Sequence, residues 1–234
     1  MSIGAVGTRR WLAGASAIVL AGCSGSSHEA ASTSSATSGA PASGEPPPGE
    51  APPPGTTIPA NAPPALRAIA GRVLIAGDLP GLARHGPRTL GINANSWVAE
   101  EGLPQYERAK EVRRLEALGF VRAVRERLVP AAENGPEAIS LVAQFRSVHA
   151  ALEDVAAEAK VGEAHGAPPF AAPTIPGARG FGGASGVTTG YNVAFAVGPY
   201  YYLVGVGYAT GTPRAPTREN LITAAQRLYS RVHR

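Results

Sequence analysis

The sequence predicts an α+β domain in which helices pack mainly on one face of an antiparallel sheet of about four to five strands. Three observations favour this fold class: apolar positions at helical spacing, pairs of strand-like runs joined by turns, and a helix after each pair. Strands joined by short turns pair antiparallel, and the helix that follows can cover the sheet. We place this single domain at residues 65–234, after a signal segment and a tether.

The domain begins with two predicted helices separated by a long loop. A short helix over 66–75 ends at a turn rich in Gly and Pro. The next stretch, to about residue 102, is predicted to be mostly loop, with Trp97 reaching into the core. A second helix begins at Pro104 and ends before Gly119, where glycine suits the left-handed residue that follows a helix.

A hairpin is predicted next, although its first arm is ambiguous. Val121, Val124 and Leu128 would fit one face of a helix, whereas the glycine before residues 120–129 and the Asn-Gly-Pro turn after them favour a strand. We expect a strand, followed by a buried strand over 138–145.

The remainder is predicted as a helix, a crossing loop, a second hairpin and a last helix. The helix is capped at Ser147, and a glycine-rich crossing follows over 161–190. Strands over 191–197 and 200–209 lead to a final helix over 217–232, whose apolar residues line one face.

The amino-terminal segment has the parts of an export signal. Arg9 and Arg10 precede the apolar run WLAGASAIVL, which is too short to span a bilayer as a helix. The motif Leu20-Ala21-Gly22-Cys23 resembles the lipobox of bacterial lipoproteins, whose signal peptidase cuts before the cysteine. The resemblance implies a signal peptide over 1–22 and a diacylglyceryl group on Cys23 that anchors the chain in the membrane. Both the general and the twin-arginine export routes stay open.

Residues 23–64 have the composition of a disordered tether behind the lipidated cysteine. They are nearly all Ser, Ala, Pro, Gly and Thr, with Ile58 as the one sizeable hydrophobe. Such a segment cannot bury enough apolar surface to offset the entropy lost on ordering. Two Pro-Pro-Pro triplets stiffen its second half. We therefore expect a spacer between lipid and domain, with a proline-motif ligand as the alternative.

Composition narrows the class of function. One cysteine excludes a disulfide framework and a thiolate zinc site, and a mean hydropathy of -0.02 excludes a polytopic membrane protein. The net charge of +4 is mild, and only two of the 21 basic residues are lysines, a bias typical of a GC-rich genome. The glycine-rich segment matches neither a dinucleotide loop nor a nucleophile elbow. We predict no cofactor, no metal, no catalytic constellation and no nucleic-acid partner.

The candidate binding site is the tyrosine-rich last strand. Alternation places Tyr200, Tyr202 and Tyr208 on one face and Gly205 and Gly207 on the other, where the missing side chains would leave a shallow groove. Tyrosines beside such a groove can stack on sugars or hold an apolar ligand with a polar end. The alternative is ordinary sheet packing under a helix.

A rim of arginines on the first hairpin is a further candidate. Arg122, Arg125 and Arg127 could bind an anion together. Glu126 interrupts them, however, and such a run more often forms a solvated face.

Three landmarks carry a resemblance to a known group of proteins: Asp78-Leu79-Pro80-Gly81, Leu118-Gly119-Phe120 and the tyrosine-rich strand. Together with the order of its elements, they make the domain similar to the LpqN-type lipoproteins of actinobacteria, whose domains have PsbP-like folds. The resemblance implies an α+β fold and a place in the cell envelope, and it rests on no catalytic motif.

The predicted function is a non-enzymatic module, lipid-anchored at the extracytoplasmic face of the cell membrane, that binds a small molecule, a lipid or an envelope protein. A hydrolase acting on envelope glycan or lipid and a structural accessory subunit stay open as alternatives. A cleft with paired polar residues of shifted pKa would favour the hydrolase. A large exposed apolar patch would favour the accessory subunit.

Overall fold

A computed structural model describes residues 64–75, 77–86, 88–101, 103–130 and 135–234. The predicted signal peptide, Cys23 and nearly all of the predicted tether lie outside these residues. The described elements, in chain order, are helix α1 (Pro64–Ala70), strands β1 (Ala83–Arg84) and β2 (Thr89–Gly91), helices α2 (Ala94–Ala99) and α3 (Gln105–Ala117), strands β3 (Phe120–Val129) and β4 (Glu137–Phe145), helix α4 (Val148–Ala164), strands β5 (Pro169–Phe170), β6 (Arg179–Ser185), β7 (Thr188–Val197) and β8 (Tyr200–Ala209), and helix α5 (Arg218–Val232).

The strands form one antiparallel sheet in the order β1-β3-β4-β8-β7-β6-β5, and β2 also pairs with β3, next to β1. The two predicted hairpins, β3-β4 and β7-β8, meet at its centre, where Val142 of β4 lies opposite Tyr202 of β8. The α+β class and the antiparallel sheet are confirmed. The sheet has eight strands rather than four to five. The additional strands are short or glycine-rich, and such strands carry little alternation for a sequence to display.

Helices cover both faces of the sheet, which corrects the expectation that they lie mainly on one. One face packs against α1 and α5 in a core that includes Val142, Tyr202 and Leu228. The other face packs against α2, α3 and α4 in a core that includes Trp97 and Leu203. Because the central strands are buried on both sides, their sequences are nearly continuous apolar runs and give no sign of a solvated face.

At most ends of helices and strands, the structure agrees with the local signals in the sequence. The ambiguous segment 120–129 is strand β3 and pairs with β4. Ser147 and Thr217 cap α4 and α5 through side-chain oxygens, and Gly119 has the left-handed φ of +72° expected after α3. The first helix differs from its prediction, since α1 ends at Ala70 and does not extend to residue 75.

The glycine-rich segment predicted as a crossing loop contains β5 and β6. Its glycines allow close approach of neighbouring elements: a Cβ at Gly162 of α4 would lie 2.5 Å from the ring of Phe181 on β6. A Cβ at Gly180 would lie 2.4 Å from the ring of Phe170 on β5. The strand is therefore specified by packing partners outside it, and not by its own side chains.

Candidate functional site

The structure divides the predicted groove residues between the two faces of β8. Tyr202 is completely buried, and its ring stacks on Phe195 with centroids 4.9 Å apart and 9° between the planes. Gly205 is also buried, and a Cβ there would lie 2.4 Å from Oδ1 of Asn192, so a neighbouring side chain fills the space above the glycine. The partly exposed members of the set are Tyr200, Gly207 and Tyr208. Ligand binding to β8 stays a prediction, with accessible surface at the two ends of the strand.

At the Tyr200 end of β8, two arginines join the tyrosines. Nη1 of Arg72 donates to the hydroxyl of Tyr202 at 3.0 Å, and the Arg72 guanidinium lies 4.3 Å from the centroid of the Tyr200 ring. Arg122 on β3 lies opposite Gln144 on β4, which in turn lies opposite Tyr200. Residues opposite one another in a sheet project from the same face. We call Arg72, Arg122, Gln144, Tyr200 and Tyr202 the arginine–tyrosine cluster.

The turn after α1 brings Arg72 onto this face of the sheet. The Arg72 N–H donates to the carbonyl of Ile69 at 3.0 Å, and two residues later the Leu74 N–H donates to Oγ of Ser140 at 2.9 Å. Ser140 is completely buried and lies on β4 four residues before Gln144, hence on the same face. This hydrogen bond therefore ties the segment that carries Arg72 to the strand that carries Gln144.

Neither cluster arginine has a carboxylate within ion-pair distance among the described residues. The Nε atom of Arg122 is buried and has no hydrogen-bond partner there. Two buried carboxylates, by contrast, are bound by other arginines: Glu126 by Arg88 at 2.6 Å, and Asp78 by Arg231 at 2.7 Å. A buried donor without a partner costs about 1–3 kcal/mol, and a guanidinium stays charged at all physiological pH values. The arrangement therefore favours an anion.

The predicted arginine rim is split by the pleat of β3. Arg125 and Arg127 project from the face opposite to Arg122, and both have partners there. Arg125 lies 5.7 Å from the ring centroid of Trp97, and burial lowers the pKa of its guanidinium. Nη2 of Arg127 donates to Oε2 of Glu137 at 3.0 Å. Of the three arginines, Arg122 alone belongs to the cluster, and alternation along the strand could have separated it from the others.

A concave feature of a different kind lies at the β5 margin of the sheet. This open cavity, between α4, β5, β6 and the loop that joins the two strands, has a volume of about 590 Å³. Its walls include Phe170, Ile175 and Phe181 together with several prolines, and Glu163 and Arg179 contribute charged groups. Pockets for small ligands commonly measure about 300–1,000 Å³. Sequence reasoning missed the cavity because its lining was assigned to a loop.

Within the described ranges, no three His, Cys, Asp or Glu side chains come together as a metal ion would require. None of the helices described is both long and apolar enough to cross a bilayer.

Comparison with solved structures finds a likeness to the extracellular domain of PknH from Mycobacterium tuberculosis. The TM-score is 0.48 at 9% sequence identity, and the match covers 71% of this chain and 95% of that one. No protein-family model and no curated protein matches the sequence. The resemblance to LpqN-type lipoproteins consequently stays a prediction.

The hydroxyl of Tyr202 can be tested by Tyr202→Phe. Losing its hydrogen bond to Arg72 is expected to lower the free energy of unfolding by about 1 kcal/mol at neutral pH. Burial raises the pKa of Tyr202, while the hydrogen bond and charge of Arg72 oppose that shift. Because burial raises the folded pKa above the unfolded value of about 10, the folded state favours the neutral Tyr202 hydroxyl. The stability that comes from keeping this hydroxyl neutral is fully present below about pH 10 and is lost as the pH rises through the folded pKa.

Urea unfolding at pH 8 and above about pH 10 checks both expectations. The wild type should lose more stability between the two conditions than Tyr202→Phe does, because only the wild type can ionise at this position. Equal losses in the two proteins would contradict the assignment. Tyr106→Phe, at a position that is 74% exposed, controls for loss of a hydroxyl in general.

Proposed function

We propose that the chain is a lipid-anchored, non-enzymatic module of the bacterial cell envelope that binds a ligand or a protein partner at the extracytoplasmic face. One observation carries the proposal: an apolar signal ends in Leu20-Ala21-Gly22-Cys23, and a long Ser/Ala/Pro/Gly segment separates that cysteine from the α+β domain. A diacylglyceryl group on Cys23 supplies two acyl chains, which stable anchoring requires. The segment after it supplies reach, since its composition favours extended chain.

Two features of the domain support the binding role. The cavity at the β5 margin has the volume of a small-ligand pocket, and its walls combine aromatic rings with the charged groups of Glu163 and Arg179. The arginine–tyrosine cluster holds charged donors that carboxylates of the described residues do not neutralise. The resemblance to LpqN-type lipoproteins supports the envelope location, since that group is secreted and lipid-anchored.

Lipidation is tested by expressing the full chain in a bacterial host that processes lipoproteins and measuring the mass of its amino-terminal peptide. The wild type should yield a peptide that begins at Cys23 and carries the mass of a diacylglyceryl group. Cys23→Ser should yield neither the cut nor the lipid, because the thioether needs the cysteine sulfur. Mass is the deciding readout, since an uncleaved signal could itself hold the variant at the membrane.

The matched control is Ser26→Ala, which changes a nearby tether residue and should be cut and lipidated like the wild type. A wild-type amino terminus at any position other than Cys23, or an unmodified Cys23 in the membrane fraction, would refute the anchor.

A further inference from the structure

We propose that the arginine–tyrosine cluster is a binding site for a phosphate group, with Arg72 and Arg122 as its two charged ligands. The inference deepens the proposed function, since it names the chemistry of the ligand that the module would take. It does not depend on the lipid anchor, which is measured separately at Cys23.

The geometry places the backbone of Arg122 and the guanidinium of Arg72 along one row of one sheet face. Arg122, Gln144 and Tyr200 occupy opposing positions on three neighbouring strands. Adjacent strands lie about 4.8 Å apart, so two strand spacings, about 10 Å, separate the Arg122 and Tyr200 backbones. The guanidinium of Arg72 already lies over the Tyr200 ring. A group bound above Gln144 would therefore face an arginine from each side.

Arg72 and Arg122 both hold donors on this face that the described carboxylates do not use. Nε of Arg122 is buried without a partner among the described residues. Arg72 donates one N–H to the uncharged hydroxyl of Tyr202. None of the described carboxylates therefore compensates the charge of the Arg72 guanidinium. The next acid along the same face of β3, Glu126, is four residues away and is bound by Arg88. Four residues of strand span about 13 Å, too far for Glu126 to neutralise Arg122 directly.

Charge and shape favour phosphate over carboxylate. A phosphate monoester carries about −1.5 to −2 charges at pH 7 and three acceptor oxygens, which match two guanidinium groups. A carboxylate carries one charge and is satisfied by one bidentate arginine. The amide of Gln144 can donate to a third oxygen. The ring of Tyr200 supports Arg72 from below, which limits the freedom lost when the anion binds.

Inorganic phosphate is the probe, titrated by calorimetry into the full chain held in neutral detergent micelles. We expect binding that Arg72→Gln and Arg122→Gln each weaken about tenfold or more, since each removes a charge-assisted pair of hydrogen bonds. Arg113→Gln, at an exposed position of α3, removes the same charge elsewhere and should leave the affinity unchanged. Acetate should bind at least about tenfold more weakly than phosphate, because it carries half the charge.

A second measurement is independent of whether the variants fold. In the wild type, phosphate should shift the ¹H–¹⁵N resonances of the Arg72 and Arg122 Nε groups, and leave that of Arg113 in place. No shift at these two arginines, or equal affinity of acetate and phosphate, would overturn the proposal. The proposal would also be overturned if Arg113→Gln reduced the affinity for phosphate as much as the cluster variants do, because binding would then follow net charge alone.

Vesicles distinguish the two sources of a phosphate group. Phosphatidic acid presents a terminal phosphate on a lipid, so vesicles that contain it are compared with vesicles of phosphatidylcholine alone. Stronger flotation on phosphatidic acid that disappears in Arg72→Gln and Arg122→Gln identifies a lipid headgroup as the ligand. Equal flotation on both, together with phosphate binding in solution, identifies a soluble phosphorylated molecule. Loss of both signals refutes the phosphate site and leaves the Cys23 result as it stands.

Discussion

Phe195→Ala is expected to lower the free energy of unfolding by about 3–5 kcal/mol, a large share of the 5–15 kcal/mol that holds a typical domain folded. Phe195 is completely buried on β7, where its ring stacks on Tyr202 and meets Tyr229 of α5 edge-on with centroids 5.9 Å apart. Truncation removes both aromatic contacts and opens a cavity between the sheet and α5. The hydrogen-bonded sheet cannot collapse to fill it, so the loss should be near the upper end of that range.

Urea unfolding followed by circular dichroism measures this loss. Tyr106→Ala is the control, since it removes an aromatic ring that is 74% exposed on α3 and should change stability by less than about 0.5 kcal/mol. Unfolding of Phe195→Ala at the same urea concentration as Tyr106→Ala would contradict the packing described for α5. Because Tyr202 rests on Phe195 and holds Arg72, the same variant should also weaken phosphate binding.

Gly182→Ala is expected to cost about 3 kcal/mol, the second large effect. Gly182 has a φ of +139°, a conformation that residues with a side chain rarely adopt. A Cβ there would lie 2.2 Å from the carbonyl oxygen of Gly190 and 2.7 Å from Cα of Tyr191. These atoms belong to the backbone of the paired strand β7 and cannot rotate away, so β6 must separate from β7 locally.

Gly186→Ala provides a matched control in the turn of the same hairpin. Gly186 also has a positive φ, of +58°, but no atom lies within 4 Å of its missing Cβ. That substitution should cost only the backbone strain, about 1 kcal/mol. Differential scanning calorimetry of the two variants separates the contributions. Equal melting temperatures would show that contact with β7 adds nothing to the cost at Gly182.

The sequence was sufficient for the elements whose own side chains specify them. The α3, α4 and α5 helices have apolar residues at helical spacing with caps or a terminal glycine, and β3, β4, β7 and β8 have apolar or alternating runs between turns. By contrast, β6 has the sequence RGFGGAS, and its contacts with α4 and β7 determine its position in the sheet. One missed element did carry a local signal: α2 begins with a capping box between Asn93 and Ser96.

The candidate site was only partly predictable for a related reason. The tyrosines of β8 drew attention because they cluster along the sequence. Arg72, by contrast, follows α1, fifty residues before Arg122 on β3. The two arginines come to one face for two reasons. The register of β3, β4 and β8 places Arg122 there, and the turn after α1 places Arg72 over the ring of Tyr200. A register shift of one residue would send Arg122 to the opposite face, and no local pattern fixes that register.

The short strands at the margins of the sheet limit how copies of this protein can associate. At one margin β1 has two residues and β2 has three, and at the other β5 has two and begins with Pro169, which has no N–H to offer. Gly182 donates to the carbonyl of Pro168, which leaves only 179 and 183–185 of β6 without a partner on that side among the described residues. An incoming strand would find no long template for backbone pairing. Neighbouring copies can therefore be crowded together without their sheets joining edge to edge.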